Sequence, residues 1–260
     1  MAIKRTEGIC VCVDYADFLA ETLPHNMKHF DHLTIVTSYD DHATQEVCDR
    51  LSVECRRTDV MYYDGVFAKS RAIDWGLGYL RRDDWIVQFD ADIWLPPTTS
   101  QWLQHARLQP DCIYGIDRVN CSSWDSWRNF IDRPYDQLAQ HQRNCLVLPP
   151  PFPLGARITL KEYGGYIPLG FFQMWNGSKC DYRYPLNHDR ANCTDVLHSL
   201  QWPAEKRRLA PEIIGIHLET GDGNMGANWD GRTTPPFGPT DHLGKPLPKP
   251  VPIKHPPYVC

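Results

Sequence analysis

Trp85-Ile86-Val87-Gln88-Phe89-Asp90-Ala91-Asp92 is the stretch on which the fold turns. Its first five residues form a near-continuous apolar run, the kind buried on both faces in the middle of a parallel sheet. The run ends in two carboxylates one residue apart. In an open α/β sheet, ligands collect beyond the carboxyl ends of the strands, so acids here mark the expected site. Like charges in a partly desolvated place repel each other. A hard divalent cation such as Mg2+ or Mn2+ takes oxygen ligands and relieves that repulsion. The plainer alternative is a solvated turn or a helix cap; the position directly after WIVQF favours the metal.

Outward from this strand, the first hundred residues alternate strand and helix patterns. Gly8–Val13, Leu33–Thr37 and Val53–Arg57 have the short, β-branched character of strands. Asp17–Phe30, Ala43–Leu51 and Phe67–Leu80 carry apolar residues at helical spacing. Strands separated by helices need crossover connections, which predicts a mostly parallel sheet flanked by helices. Further on, Gln101–Leu108 and Asp132–Gln142 are expected as helices and Cys112–Asp117 as a strand. Gly165–Trp175 is expected as a strand pair or bent strand, Asn192–Leu200 as a helix and Ile213–Leu218 as a strand. The chain thus reads as one α/β domain over 1–232, with a regular βαβ half (1–95) and a less regular half (96–232). A tail follows over 233–260, holding nine of the 22 prolines, expected to be extended and either wrapped on the domain or free.

The formal net charge of -5 argues against nucleic acid as a general partner, because phosphate grip needs a basic surplus. Lys206-Arg207-Arg208 is the one tight basic run and is expected on a solvated helix face. The 10 cysteines include no Cys-x-x-Cys pair, and a chain of 260 residues needs no staples. Reduced, mostly buried thiols, a cytoplasmic location and no transmembrane segment are expected.

Lys69 and Arg71 stand near the start of the 67–80 helix. Cations there oppose the helix dipole unless an anion such as a diphosphate sits beside them. Together these motifs resemble the family-2-type glycosyltransferases of the GT-A fold, nucleotide-sugar enzymes of the Asp-x-Asp type. The resemblance covers Gly8 to Leu95 and rests on the K-x-R-A-x-D-x-G-L helix followed by an apolar strand and Asp-x-Asp. Asp74 stands where that family usually has Asn. It implies that 1–95 is a nucleotide-binding half and 96–232 an acceptor half with a lid, and that Val13, Asp14, Tyr15, Asp40 and Asp41, at the ends of the first two strands, cradle the nucleoside, with Tyr15 stacked on the base and Asp40 accepting hydrogen bonds from it. It places Lys69 and Arg71 near the diphosphate, Asp90 and Ala91 at the ribose or sugar, and Mn2+ or Mg2+ on Asp92, with Asp90 beside it. A late His217 is implied as a further ligand, although a strand-end histidine also serves simply as a carboxylate's partner. The catalytic base is Asp195 or its rival Asp189; Thr194 stands where the family has Glu. In the glycine-rich stretch 221–231 and just after it, Trp229 is expected to cover the site and Arg232 to reach phosphate.

The implied activity is transfer of a sugar, with inversion, from a nucleotide-diphosphate donor (a UDP-sugar on the family analogy) to an acceptor hydroxyl. Glycan, lipid, protein, small molecule and a hydroxymethylated base of viral DNA all stay open as acceptor. A nucleotidyltransferase is disfavoured because VCVDYADF lacks the glycines of a phosphate loop. A non-catalytic sugar- or nucleotide-binding module with a degenerate site is the other alternative, and Trp124, Trp127, Trp175 and Trp202 would serve sugar stacking in either case.

Overall fold

The computed structural model describes residues 5–63, 66–121, 123–131, 158–186, 193–220, 232 and 234–246. The first half runs β1 (Thr6–Val11), α1 (Ala16–Asn26), β2 (His32–Thr37), α2 (His42–Leu51) and β3 (Glu54–Arg57). A small hairpin of β4 (Tyr62–Tyr63) and β5 (Val66–Phe67) precedes α3 (Lys69–Leu77) and β6 (Trp85–Asp90). After the acids come β7 (Ile93–Trp94), α4 (Thr98–His105), β8 (Ile113–Cys121) and α5 (Trp124–Ile131). The hairpin of β9 (Ile158–Leu160) and β10 (Gly165–Ile167), then β11 (Phe172–Asn176), α6 (Thr194–Ser199) and β12 (Arg207–Leu218), complete the described elements.

Among the described residues one eight-stranded sheet dominates, in the order β3-β2-β1-β6-β11-β8-β12-β7. Neighbours from β3 to β6 are parallel, as are β8 and β12, while β11 and β7 run against their neighbours. The expected mostly parallel α/β architecture is therefore present. On one face α1, α2 and α4 close over Leu19, Leu23, Val47, Val87, Phe89 and Leu103. The other face packs Ile9, Val36 and Ile86 under α3 and beside Trp175, Tyr184 and Trp202. Gly76 lets α3 come down on the sheet: a Cβ there would lie 2.6 Å from Ile9 Cδ1 and 2.7 Å from Val36 Cγ2.

Several boundaries depart from expectation for local reasons. The helix expected over 67–80 begins at Lys69, because Val66 and Phe67 pair with the preceding tyrosines. Lys206-Arg207-Arg208 is no helix face. Arg207 and Arg208 open β12, Arg207 is buried and donates to the Tyr163 carbonyl, and Lys206 pairs with Asp111 at 2.6 Å. The tryptophans are not a sugar platform either. Trp127, Trp175 and Trp202 are almost wholly buried, and Trp124 packs against Phe237 at 5.3 Å. The helix expected over 132–142 lies outside the described residues.

The described part of the tail wraps the domain. Phe237 stacks on Phe18 of α1 at 4.7 Å, and Arg50 and Glu46 of α2 hold His242 through its carbonyl and ring. No helix among the described residues is long and apolar enough to cross a membrane.

Candidate active site at the carboxyl edge of the sheet

Parallel pairing of β1 with β6 sets Val11 beside Asp90, so the loop carrying Val13 and Asp14 opens on the same edge as the two acids. Val13 packs against the cluster under α3. Asp14 takes a left-handed conformation at φ 60°, and its N–H donates to Asp41 Oδ2 at 2.9 Å. Asp41 also caps α2, accepting from Thr44 N at 3.0 Å, and accepts from Thr37 Oγ1. Asp40 is exposed beside it and does not bind the β1 end. Of the two acids expected at this corner, Asp41 is the one that organises it.

Asp90 ends β6 on the α3 face. There its Oδ1 accepts from Lys69 Nζ and, at 3.3 Å, from Gln88 Nε2. Burial raises the Asp90 carboxyl, against the pull of the Lys69 charge, while Asp92 and Asp195 push it further up. For Lys69 burial alone would lower the ammonium, but Asp90 more than reverses this and the group is held above its ordinary value. Asp90 is therefore paired with Lys69 through Oδ1.

Ala91 turns the other way, buried in the core, with its carbonyl accepting from Thr22 Oγ1 at 2.6 Å. Its side chain packs in the core under α1, α2 and α4.

Asp92 follows in the turn between β6 and β7. Because β7 pairs with β12, His217 stands opposite Ile93, and the Leu218 N–H donates to the Asp92 carbonyl at 2.9 Å. His217 Nε2 lies 3.2 Å from Asp92 Oδ2, and Nδ1 lies 2.8 Å from Glu219 Oε1. Burial would lower the His217 imidazole, yet the two carboxylates overcome it and push it up to about 9. Burial likewise would raise Asp92, but His217 brings its carboxyl below the ordinary range. The imidazole thus bridges two buried acids, in a place that favours positive charge.

The same residues fit a divalent cation. Asp92 Oδ1 is buried with no hydrogen-bond partner. With Nδ1–H given to Glu219, Nε2 keeps its lone pair once its proton leaves, the carboxylate–histidine arrangement that fixes a metal-ligating tautomer. Among the described residues no group of three or more His, Cys, Asp or Glu side chains is arranged to hold a metal ion. Two protein donors on one side suit an ion that completes its shell with phosphate and water. A small cleft borders them, walled also by Tyr15, Phe18 and Thr234.

Asp195 approaches from the other half of the sheet, in the first turn of α6. Its Oδ2 accepts from Gly170 N at 2.7 Å and its Oδ1 from Val196 N at 2.9 Å. Gly170 is required there, since a Cβ would lie 2.8 Å from the Asp195 Cβ. Each oxygen keeps a further lone pair.

Three expected contacts are replaced by others. Tyr15 stacks on Phe18 at 5.3 Å and carries the Arg232 guanidinium 4.8 Å from its ring centre, so its aromatic surface is engaged inside the protein rather than open to a base. Arg232 does not reach toward phosphate. It grips both oxygens of Asp17 at 2.7 Å and donates to the Asp14 and Pro235 carbonyls. Arg71 lies over the Tyr63 ring at 3.7 Å and donates to the Leu186 carbonyl, while only Lys69 reaches Asp90. Asp189 and Trp229 lie outside the described residues, as does the stretch 221–231.

Glu219 was missed, although a strand's period of two puts it on the face of His217. Arg118, buried on β8 with its guanidinium 4.5 Å from the Phe171 ring centre and acting electrostatically on both Asp92 and His217, carries no comparable sequence signal.

No protein-family model matches the sequence, and no curated protein matches it. Solved structures do. A mycobacterial protein aligns at TM-score 0.50 and 12% identity, over 86% of this chain and 71% of that one. The chain has a GT-A-type α/β fold. Glucosyl-3-phosphoglycerate synthase from Mycobacterium tuberculosis, in complex with Mn2+, uridine diphosphate and glucosyl-3-phosphoglycerate, aligns at TM-score 0.47 and 10% identity, over 83% and 71%. Mannosyl-3-phosphoglycerate synthase from Rubrobacter xylanophilus aligns at 0.41 and 11%, over 84% and 67%. At these identities the likeness is one of fold alone.

Proposed function

We propose that this chain is a divalent-metal-dependent glycosyltransferase that moves a sugar from a nucleotide-diphosphate donor to an acceptor hydroxyl. The observation that carries the reading is the Asp92–His217 pair at the carboxyl edge, backed by Glu219 and holding a buried, unpartnered carboxylate oxygen. Asp92 and His217 would hold Mn2+ or Mg2+. Such an ion, when bound, neutralises a diphosphate and improves it as a leaving group. Glu219 keeps the imidazole oriented. Lys69 holds Asp90, which faces the ribose or the transferred sugar. Val13, Asp14 and the exposed Asp40 border the nucleoside.

Asp195 is the base. It takes the proton of the acceptor hydroxyl, whose oxygen bonds to the anomeric carbon as the bond to the diphosphate oxygen breaks, with inversion. The uridine donor rests on the family resemblance, and the buried thiols suit a reducing, cytoplasmic setting. The net charge of -5 favours a glycan, protein or small-molecule acceptor over a modified base in DNA.

The test is calorimetric titration of UDP, GDP and their sugars with Mn2+ and again with EDTA. One nucleotide should bind only with the metal. Asp92→Asn should lose that binding, and Glu219→Gln should weaken metal affinity roughly 10- to 100-fold, as loss of a ligand's supporting carboxylate does. A folded wild-type protein that binds no nucleotide sinks the catalytic reading in favour of a degenerate module.

A further inference from the structure

Two strands of the sheet carry a glutamine in the middle of an apolar run, Gln88 in WIVQFD and Gln173 in FQMWN. Antiparallel pairing of β6 and β11 sets the two directly opposite each other, and both are completely buried. Burying two primary amides side by side is costly unless each polar atom is matched. Here the matching partners form a continuous line. Gln88 Nε2 donates to Asp90 Oδ1 at 3.3 Å. The Tyr184 hydroxyl, with one proton to give, lies between the two amide oxygens: it donates to Gln173 Oε1, the nearer, and stands 3.2 Å from Gln88 Oε1. Gln173 Nε2 then reaches the Asp195 carbonyl at 2.9 Å, the Pro168 carbonyl at 2.9 Å and Ser199 Oγ at 2.8 Å. Ser199 in turn donates to Pro168 O at 2.7 Å.

We infer that Gln88, Tyr184 and Gln173 are positioning residues: a buried polar strut that sets the distance between the donor-side carboxylate Asp90 and the base Asp195. The inference rests on the glycosyltransferase reading and says how its two halves are kept in register. One end of the strut touches a carboxylate oxygen of Asp90. Its other end grips α6 and the 168–170 turn, the two segments whose Asp195 carboxylate and Gly170 N–H meet at 2.7 Å. Apolar residues at 88 and 173 would fill the same space and keep the backbone pairing of β6 with β11, but would remove the side-chain tie from that pair to α6. A transfer between two bound substrates depends on their alignment, and a misplacement of about 1 Å costs up to about 100-fold in rate.

The test is Tyr184→Phe, which keeps the ring stacked on His198 and removes only the hydroxyl, with Gln173→Met as a second variant close in shape. Both are assayed for sugar transfer, donor hydrolysis and metal-dependent donor binding. The expected result is a fall in transfer kcat of about tenfold, a larger share of donor lost to water, and donor affinity within about twofold of wild type. Trp202→Phe, a packing change in the same aromatic cluster that leaves the strut intact, should keep kcat while lowering the melting temperature. Hydrogen exchange at the Gly170 and Val196 amides should quicken in Tyr184→Phe and not in Trp202→Phe. Transfer by both strut variants at wild-type kcat and donor affinity would overturn the strut and leave the glycosyltransferase reading standing. A wild-type protein that neither binds nor turns over any nucleotide sugar would overturn that reading, and the strut's role with it.

Discussion

Cutting the clasp between Asp17 and Arg232 should unfasten the tail and cost a large part of the protein's stability. Asp17 sits in the first turn of α1, and its side chain is 9% exposed; that of Arg232 is 18% exposed. Both carboxylate oxygens accept from the guanidinium at 2.7 Å, and Oδ2 also accepts from Phe237 N at 2.5 Å. Removing one member of a nearly buried bidentate pair leaves the other without its counter-charge, at a cost of about 3 kcal/mol. Asp17→Ala and Arg232→Ala should each lose about that much in urea unfolding. At 2–4 °C per kcal/mol for a domain of this size, the melting point should fall by roughly 6–12 °C.

The decisive measurement is the double-mutant cycle. Once either partner is gone the clasp is broken, so the double variant should lose little more than a single one, giving a coupling of about 2–3 kcal/mol. Additive losses would refute the reasoning, as would single losses below about 1 kcal/mol, the size expected of an exposed pair. The clasp also bears on the site. It anchors Thr234 against the Tyr15 hydroxyl at 3.2 Å, and these two residues wall the cleft beside Asp92. Asp17→Ala should therefore weaken Mn2+-dependent nucleotide binding as well as stability.

Acid should destabilise the fold through two buried histidines: burial holds His198 down to about 3 and His29 to about 4, from an ordinary 6.5. The unfolded chain protonates first as pH falls, so their contribution is complete above about 6.5 and is lost progressively toward 3–4. Each adds a slope of about 1.4 kcal/mol per pH unit in that window; His198→Phe should remove one such slope between pH 6 and 4.5, and an unchanged slope would speak against a neutral buried ring. Gly76→Ala should cost roughly 1–3 kcal/mol in chemical denaturation, because its methyl group meets Ile9 and Val36 under α3. Gly170→Ala should lower transfer kcat while sparing donor affinity, since its Cβ displaces Asp195; equal loss of both in kinetic assays would place the damage elsewhere.

What could be read in the sequence follows from how local the information was. Apolar runs and helical spacings are nearest-neighbour patterns, so the βαβ order, the strand ending in Asp90 and the late strand with His217 were all legible. Assignments that needed a partner far along the chain fared worse. Arg232 looked like a phosphate ligand because its glycine-rich surroundings suggest a lid; its engagement with Asp17 depends on the tail folding back across α1. Asp40 and Asp41 are indistinguishable as neighbours in a turn, and only the cap geometry of α2 gives the structural role to the second. Gln88 and Gln173, by contrast, were visible as polar residues inside apolar strands, but their meaning required the register that puts them side by side.

The two acids of Asp-x-Asp show why a motif read as one unit has to be taken apart. One residue separates them, yet the chain leaves β6 between them, so they face different layers of the molecule. Asp90 looks toward α3 and meets Lys69, and Asp92 looks toward β12 and meets His217. Burial raises the Asp90 carboxyl, while His217 holds Asp92 below its ordinary range. Environments that drive paired carboxyls apart are what assign them different tasks. Asp92, kept ionised with one oxygen free, is fitted to a cation. Asp90, already neutralised by an ammonium, is fitted to accept hydrogen bonds from a hydroxyl. If the pair instead clamped a single ion between them, Asp90→Asn and Asp92→Asn would weaken Mn2+ binding alike. The proposed division of roles requires Asp92→Asn to abolish metal binding while Asp90→Asn mainly weakens the grip on the nucleotide's sugar hydroxyls.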